Sequence, residues 1–353
     1  MAEKAGIRRV AVTGASGFIG RALVAALAAE GVAVTALSRS PMPRGTGTNL
    51  RLIAGDLRDA DSVARLLEGA DTLYNLAYDV RASAADNLTA FDTLLAGARA
   101  AGTRRIVHLS SVVVYDAWPD ADCVETGAMT PRAPGSYRDT KIAMEGRLAA
   151  SGLSAAILQP TIVYGPGSRL WTDRLADALM MREMVLPAPE GLCNGVHVDD
   201  LVQACRLAAA DDAPGGRFII SGPSPFAWSD LLRGYAAILG KGTVRHVPVE
   251  DLLARLGPAP EAPPPAAPSL PARLSAAARS RLGHDRVDAL SRWLKARLRK
   301  GGTFWPDRHL VEEFSGTGTC HIDHARAALG YAPRHDLQSG LAATADYLKT
   351  LRP

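Results

Sequence analysis

The chain of 353 residues has few cysteines and no long apolar run, and both absences narrow its class. The cysteines number four and lack the spacing of metal ligands: Cys123, Cys193, Cys205 and Cys320. They predict free thiols in a reducing compartment rather than a disulfide framework. No run of 18 apolar residues occurs, and no apolar segment precedes the first strand, so we expect neither a transmembrane helix nor a signal peptide. We expect a cytoplasmic protein.

The chain also lacks a strong charge of either sign. Its 40 Lys and Arg against 36 Asp and Glu leave a net charge of +4, which does not by itself indicate nucleic acid. Hydrophobic residues make up 47% and charged residues 22%, as in ordinary globular proteins, and the length allows more than one domain. Basic residues concentrate in the segment 273–308, which contains ten Lys or Arg and three Asp.

Three glycines spaced three residues apart follow the first apolar strand. Gly14, Gly17 and Gly20 lie between this strand, predicted over 10–12, and a helix. The first N–H groups of such a helix point outward and attract phosphate. Gly14 permits a tight turn, Gly17 lets a pyrophosphate approach the backbone, and Gly20 lets the helix pack closely. A flexible loop is the alternative, but the strand before and the helix after favour dinucleotide binding.

Strands and helices alternate through the first half of the chain. The predicted strands cover 10–12, 32–37, 50–54, 72–76, 105–109 and 155–159, and helices lie between them. This alternation predicts an α/β fold with a Rossmann-like, doubly wound parallel sheet, whose ligand lies at the carboxyl ends of the strands.

The pattern loosens after Gly165, which indicates a smaller C-terminal substrate-binding lobe. We expect residues 1–165 to form the dinucleotide-binding domain, with 196–222 returning to it. Residues 166–195 and 223–353 would form the lobe. Seven prolines fall within 257–271, and so much proline predicts a stiff surface excursion.

Tyr137 and Lys141 lie four residues apart on a predicted helix, so their side chains share one face. Such a pair is common by chance, but Ser110 and Ser111 end the fifth strand directly upstream. A phenol has a pKa near ~10. A neighbouring ammonium and the positive ring of an oxidised nicotinamide would lower that pKa, so Tyr137 would act as an acid or base near neutral pH.

The chain resembles the extended short-chain dehydrogenases/reductases, the NAD-dependent epimerase/dehydratase family, over nearly its whole length. The motifs that carry the resemblance are the loop 13–20, Gly55-Asp56-Leu57, Leu109-Ser-Ser111-Val-Val-Val-Tyr115, Tyr137-Arg-Asp-Thr-Lys141, Gln159-Pro160-Thr-Ile-Val-Tyr164-Gly165-Pro166-Gly167, Val196-His197-Val198-Asp199-Asp200 and Leu329-Gly330-Tyr331-Ala-Pro333. In combination and in this order they are specific for the family and much less specific for a substrate.

The resemblance implies a catalytic Ser111, a general acid/base at Tyr137, and a Lys141 that binds the nicotinamide ribose and tunes Tyr137. It places the adenine between Asp56 and Leu57, with Asp56 accepting from the adenine amino group. With the glycine loop and the end of the second strand, the expected cofactor-binding residues are Gly14, Ser16, Gly17, Phe18, Ile19, Gly20, Ser38, Arg39, Asp56, Leu57, Ala77, Tyr137, Lys141 and Pro160.

Four positions depart from the family pattern. Asp116 stands where Gly often follows the Val-Tyr pair, and Gln159 stands where Arg is usual. Val112 and Val113 follow Ser111 where sugar-nucleotide dehydratases carry an Asp-Glu pair. Two valines supply neither the acid nor the base that eliminates water, so we exclude dehydratase activity. The function expected is an NADP(H)-dependent oxidoreductase acting on a carbonyl or secondary alcohol. The alternatives are a sugar-nucleotide epimerase and a non-catalytic dinucleotide sensor.

The residues at the end of the second strand indicate which dinucleotide the protein binds. NAD-selective folds end this strand in an acidic residue that binds the ribose 2′-hydroxyl. Here Ser38 and Arg39 end it, and no Asp or Glu occurs between Glu30 and Asp56. A guanidinium binds a 2′-phosphate with paired hydrogen bonds, so we expect NADP, with NAD possible.

No metal is expected. His197 with Asp199 and Asp200 is interpreted as a strand-to-helix junction at which an Asp caps the helix. His321 and His324 flank Asp323, which is interpreted as another N-cap.

The expected partners are a small-molecule substrate and a second copy of the chain, with no nucleic acid and no stable membrane insertion. Family members commonly pair through two helices, here those after Asp86 and Tyr137. The first carries an apolar stripe of Phe91, Leu94, Leu95 and Ala98. The alternative is that this stripe packs on the sheet. A second apolar stripe, Leu290 to Leu298, fits a helix that packs on its own core, attracts a diphosphate or lies on a membrane.

Overall fold

The computed structural model describes residues 9–39, 49–258 and 302–352. Residues 40–48, the proline-rich residues 259–271 and the basic segment 273–301 with its apolar stripe lie outside the described residues. No helix in the described ranges is both long enough and apolar enough to cross a membrane.

A seven-stranded parallel sheet forms the centre of the protein, and it confirms the predicted fold class. Its strands are β1 (Arg9–Thr13), β2 (Ala33–Ser38), β3 (Leu50–Ala54), β4 (Thr72–Asn75), β5 (Arg105–Leu109), β6 (Ala155–Pro160) and β11 (Gly216–Ile220). They are ordered β3, β2, β1, β4, β5, β6, β11 across the sheet. The order reverses between β1 and β4, and the crevice at that reversal is where such sheets bind ligands.

Helices cover both faces of the sheet. They are α1 (Phe18–Ala29), α2 (Ala60–Leu67), α3 (Ala84–Ala100), α4 (Tyr137–Ala150) and α6 (Val198–Ala208). On one face α1 packs beside α6, and on the other α2, α3 and α4 pack in a row. Each face therefore encloses its own apolar core, as the near-continuous hydrophobic strands require.

A separate three-stranded parallel sheet has β8 (Arg182–Ala188) between β13 (Thr243–Pro248) and β14 (Gly302–Phe304). Two short strand pairs accompany it: β7 (Ile162–Tyr164) with β10 (Gly195–His197), and β9 (Leu192–Cys193) with β12 (Phe226–Ala227). The remaining described helices are α5 (Arg174–Met181), α7 (Trp228–Leu239), α8 (Val249–Leu256), α9 (Arg308–Ser315), α10 (Asp323–Leu329) and α11 (Leu337–Thr350).

Two predicted helix caps are wrong. The N-cap of α6 is His197, whose Nδ1 accepts the Asp199 N–H at 3.3 Å, rather than an Asp. The N-cap of α10 is Ile322, without a side-chain bond, and Asp323 lies in the first turn. At that position the negative charge still interacts favourably with the positive end of the helix.

The apolar stripe of α3 does not support the expected dimer. Phe91, Leu94, Leu95 and Ala98 are all buried within the subunit, in the core that α3 shares with α2, α4 and the sheet. The alternative interpretation of this stripe, packing on the sheet, is therefore the one observed.

Two cysteines that are distant in sequence lie side by side. Cys123 and Cys320 form an isolated parallel bridge between two loops, and both thiols are free and buried. Two backbone hydrogen bonds hold the loops together: Cys123 N–H donates to Thr319 O at 2.9 Å, and His321 N–H donates to Cys123 O at 3.0 Å. This bridge ties the C-terminal part of the chain to the loop that follows β5.

Candidate functional site

The glycine loop joins β1 to α1 and packs tightly against the end of β4. Gly14 has a φ of +68°, and a Cβ there would lie 2.8 Å from Ala77 N. A Cβ on Gly20 would lie 2.1 Å from Gly14 O, so only glycine lets α1 pack this closely on the turn. The N-cap Gly17 offers no side-chain acceptor to the first helical N–H groups. These groups are therefore available to an anion.

A cavity of about 270 Å³ opens beside this loop. It brings together eight of the residues that the sequence analysis assigned to the cofactor: Gly14, Ser16, Gly17, Ser38, Arg39, Asp56, Leu57 and Ala77. These residues follow four adjacent strands, so the carboxyl edge of the sheet explains their convergence. The other assigned residues lie outside the cavity wall, with Phe18 and Ile19 packed on the core and Pro160 buried at the end of β6.

Charged pairs cross the mouth of the cavity. Arg39 Nη1 lies 2.7 Å from Asp79 Oδ2. Arg58 lies 3.0 Å from Asp56 and 3.3 Å from Asp86. Hydrogen bonds from Arg58 hold the pKa of Asp56 below its usual range, so Asp56 is ionised and fully an acceptor at neutral pH.

Six polar residues of this cavity were not predicted as part of the site: Arg58, Asn75, Tyr78, Asp79, Asp86 and Asn87. Two signals were available, because Arg58 directly follows the Gly55-Asp56-Leu57 motif and Tyr78 and Asp79 directly follow Ala77. Asn87 gave no local signal. Its amide holds the backbone of Asp79, with Asp79 N–H donating to Oδ1 at 2.9 Å and Nδ2 donating to Asp79 O at 3.0 Å.

Ser111, Tyr137 and Lys141 converge at the end of β5, as their spacing predicts. Ser111 caps a single 3₁₀ turn, and its hydroxyl lies near enough to Tyr137 to lower the pKa of the phenol. Tyr137 is the first residue of α4, after the N-cap Ser136. Asp139 accepts N–H groups of the preceding loop, from Arg132 and Ala133, and so fixes the start of this helix.

Tyr78 connects the three residues to the cavity. Its ring meets the Tyr137 ring edge-on, with centroids 4.9 Å apart. The Lys141 ammonium lies 4.9 Å from the Tyr78 centroid and donates to Leu109 O at 2.8 Å. The cavity and the Ser111–Tyr137–Lys141 group are therefore parts of one continuous cleft.

The pKa of Tyr137 differs from the expectation drawn from the sequence. Although 42% of the residue is exposed, desolvation of its hydroxyl raises the pKa to about 12, and the nearby Ser111 hydroxyl lowers it by a smaller amount. The Lys141 ammonium lies 5.8 Å from the Tyr137 centroid and points to Leu109, so it does not lower this pKa here. Burial of Lys141 itself lowers its pKa to about 8.

Ser110, the neighbour of Ser111, faces the other way. It is 2% exposed, and its hydroxyl finds no partner among the described residues. Its side chain therefore lies in the core, and only Ser111 meets Tyr137.

A buried polar network lies beneath α4. Glu145 Oε2 accepts from Arg217 at 2.7 Å, and Glu145 Oε1 accepts from Gln159 Nε2 at 2.9 Å. Tyr115 donates its hydroxyl to Gln159 Oε1 at 2.5 Å. Gln159 stands where the family usually carries Arg, and Arg217 on the neighbouring strand β11 supplies the positive charge that the buried Glu145 requires.

Two histidines come together where the sequence suggested one. The rings of His197 and His335 lie 4.4 Å apart, and ligand atoms of His197, Asp199 and His335 fall within 4.8 Å of one another. One nitrogen of each ring is already engaged, since His197 Nδ1 caps α6 and His335 Nδ1 lies 3.0 Å from Asp200. This arrangement has a structural role in joining α6 to the C-terminal segment. His321 and His324 are not brought together, because His321 pairs with Asp122 and His324 stacks on Phe218.

Residues 10–221, which include the glycine loop and the whole cleft, match the sequence profile of the NAD dependent epimerase/dehydratase family. The chain belongs to this family. It is therefore an NAD(P)-dependent enzyme of the extended short-chain dehydrogenase/reductase type, an oxidoreductase that binds a dinucleotide and a small-molecule substrate.

Two characterised relatives match almost the whole length. A 4-hydroxy-2-methyl-3-oxo-4-farnesyl-3,4-dihydroquinoline-1-oxide ketoreductase of Stigmatella aurantiaca is 26% identical over 349 residues, covering 95% of each chain. A 2-alkyl-3-oxoalkanoate reductase of Stenotrophomonas maltophilia is 27% identical over 356 residues, covering 94% of this chain and 97% of the relative. Among solved structures, MoeE5 in complex with UDP-glucose and NAD has a TM-score of 0.68 at 24% identity, covering 97% of this chain and 99% of that one. This last likeness concerns the fold.

Proposed function

We propose that the protein is an NADP(H)-dependent reductase that converts a ketone of a small molecule to a secondary alcohol. The observation that carries this proposal is the convergence of Ser111, Tyr137 and Lys141 at the end of β5, where Tyr78 joins them to the cavity of the glycine loop. Two hydroxyls at this edge suit a carbonyl oxygen, which accepts one hydrogen bond from each. Both full-length relatives are reductases of keto compounds by name, and this supports the same direction here.

In this mechanism Tyr137 is the proton donor and Ser111 orients the reacting oxygen. With a pKa of about 12, the Tyr137 hydroxyl is protonated at neutral pH. Reduction of a carbonyl requires this form, because the hydroxyl donates its proton to the carbonyl oxygen. A bound reduced nicotinamide would supply the hydride to the carbonyl carbon. Lys141, which donates to Leu109 O here, would hold the nicotinamide ribose, and its charge would stabilise the tyrosinate left after proton transfer.

The preference for NADP(H) rests on Ser38 and Arg39. Both line the cavity at the end of β2, with Asp56 and Leu57 at the end of β3. A guanidinium and a hydroxyl at this place suit a 2′-phosphate. No Asp or Glu ends β2, so no carboxylate of this strand repels the 2′-phosphate.

The test is a substrate panel followed by NADPH absorbance, with ketones, steroids, flavonoid-like compounds and UDP-sugars. Net oxidation of NADPH with a ketone supports the reductase. Interconversion of a sugar nucleotide without net cofactor change would replace it with an epimerase. Cofactor binding without turnover of any compound would replace it with a dinucleotide sensor.

A further inference from the structure

An acidic residue is absent from the end of β2, but one reaches the same place from another strand. Asp79 follows β4, and its carboxylate Oδ2 lies 2.7 Å from Arg39 Nη1. Both residues line the cavity that also holds Ser38, Asp56 and Leu57. The parallel sheet places the ends of β4 and β2 at one edge on either side of β1, so residues 40 positions apart in sequence share this site.

Asp79 is the fixed member of the pair. Its backbone is held on both sides by the Asn87 amide, and its other carboxylate oxygen accepts Arg81 N–H at 3.0 Å. The Asp79 side chain is 27% exposed, whereas the Arg39 side chain is 60% exposed. Hydrogen bonds from Arg81 and Arg39 outweigh the effect of burial and hold the pKa of Asp79 below its usual range, so the carboxylate is charged at neutral pH.

A fixed carboxylate beside Arg39 acts in opposite directions on the two dinucleotides. A 2′-phosphate must compete with Asp79 for the guanidinium, and two like charges brought this close repel. A ribose 2′-hydroxyl, in contrast, can donate a hydrogen bond to a carboxylate, as it does to the acid at the end of the second strand in NAD-selective folds.

We propose that Asp79 shifts the cofactor preference toward NADH, weakening the binding of NADPH through Arg39 and accepting from the 2′-hydroxyl of NADH. The inference rests on the proposed function only in placing a dinucleotide in this cavity. It holds whichever dinucleotide the native protein prefers.

The test compares the affinities of NADPH, NADH, 2′,5′-ADP and 5′-AMP for the native protein and for Asp79→Asn, by isothermal titration calorimetry. Asparagine still accepts Arg81 N–H, so the turn after β4 keeps its main-chain support. We expect roughly two- to fivefold tighter binding of NADPH and 2′,5′-ADP, the scale of a partly exposed charge pair. NADH and 5′-AMP should bind equally or less tightly.

The matched control is Asp92→Asn. Asp92 also pairs with an arginine, Arg147, and also lies on the α3 side of the protein, but it does not line the cavity. Its neutralisation changes the net charge by the same amount and should leave the NADPH to NADH ratio unchanged. If the affinity for NADPH relative to NADH changes equally in both variants, the effect is a general one of charge and the proposal is overturned. The proposal is also overturned if this relative affinity is unchanged or lowered in Asp79→Asn.

Arg39→Ala separates this inference from the proposed function. We expect Arg39→Ala to weaken NADPH binding and to reduce the effect of a subsequent Asp79→Asn. If the native protein binds NADH more tightly than NADPH, the proposed NADP(H) preference fails, while a rise in the ratio in Asp79→Asn still supports the role of Asp79. If the native protein prefers NADPH and Asp79→Asn has no effect, the role of Asp79 fails alone.

Discussion

At the scale of single residues, Tyr137 shows how the surroundings set a role. Its hydroxyl is protonated at neutral pH, desolvation raises its pKa further, and of the two serines that end β5 only Ser111 lies beside it. Tyr137→Phe should therefore lower turnover by ~10²–10⁴-fold, the usual worth of general acid catalysis, because the ring is kept and the proton is lost. NADPH affinity, measured by fluorescence titration, should change little. Near-native turnover in this variant would remove Tyr137 from the mechanism.

Lys141 combines a proposed function with a cost in stability. Its buried ammonium has a pKa of about 8, below the usual 10.5, so below pH 8 the folded protein carries the full cost of the buried charge. Lys141→Met removes this charge and loses the hydrogen bond to Leu109 O. We expect the variant to be more stable by about 2 kcal/mol at pH 7, although it loses activity.

The stability of the native protein should rise from pH 8 to about pH 10.5, where the folded lysine is neutral and the unfolded lysine is still charged. The advantage of Lys141→Met should therefore shrink over this range. Urea unfolding at pH 7 and pH 10 measures both effects. A variant less stable than the native protein at pH 7 contradicts the buried-charge argument.

Glu313 on α9 has the opposite effect on the pH dependence of stability: its contribution falls as the pH rises. It is 6% exposed, accepts from Trp118 Nε1 at 2.7 Å, and burial raises its pKa to about 7. The stability that comes from the protonated form is complete below about pH 4.5 and is lost as the pH rises through 7. Glu313→Gln keeps an acceptor for Trp118, so it should have little effect at pH 4.5 and stabilise by up to about 3 kcal/mol at pH 8.5. A stability difference between variant and native protein that does not grow with pH would refute this argument.

At the scale of elements, the junction of β1 and α1 depends on backbone contact. A Cβ on Gly20 would lie 2.1 Å from Gly14 O and 2.8 Å from Ala15 Cα, and backbone atoms cannot give way as a flexible side chain does. Gly20→Ala should therefore shift the start of α1, destabilise the protein by about 1–3 kcal/mol and weaken NADPH binding. The control is Gly146→Ala in α4, where a Cβ would meet nothing within 4 Å.

Gly146→Ala should be neutral or stabilising by up to about 1 kcal/mol, because alanine favours a helix interior. Thermal unfolding and dinucleotide titration of the two variants measure the contrast. Equal behaviour of the two variants would show that the close packing at Gly20 has no energetic weight.

At the scale of the whole molecule, the homodimer remains a prediction. The stripe that suggested it is buried inside the subunit, so an interface through α3 and α4 would use their outer surfaces. These carry the Asp92–Arg147 ion pair and the exposed Ala96. We expect light scattering at micromolar concentration to give twice the 37.1 kDa of one chain, and Ala96→Glu to give the single mass, because two like charges would meet across the interface. A native monomer under these conditions contradicts the prediction.

The sequence by itself determined the parallel sheet, the turn at the glycines and the meeting of Ser111, Tyr137 and Lys141. These depend on local periodicity, on backbone space and on the fact that parallel strands end at one edge. Only the tertiary structure decided which residues from distant segments meet. It formed the ion pairs of Asp79 with Arg39 and of Glu145 with Arg217, and it placed the free cysteines Cys123 and Cys320 side by side. It also raised the pKa of Tyr137, because desolvation depends on what surrounds a group in space, and neighbouring positions in sequence do not record it.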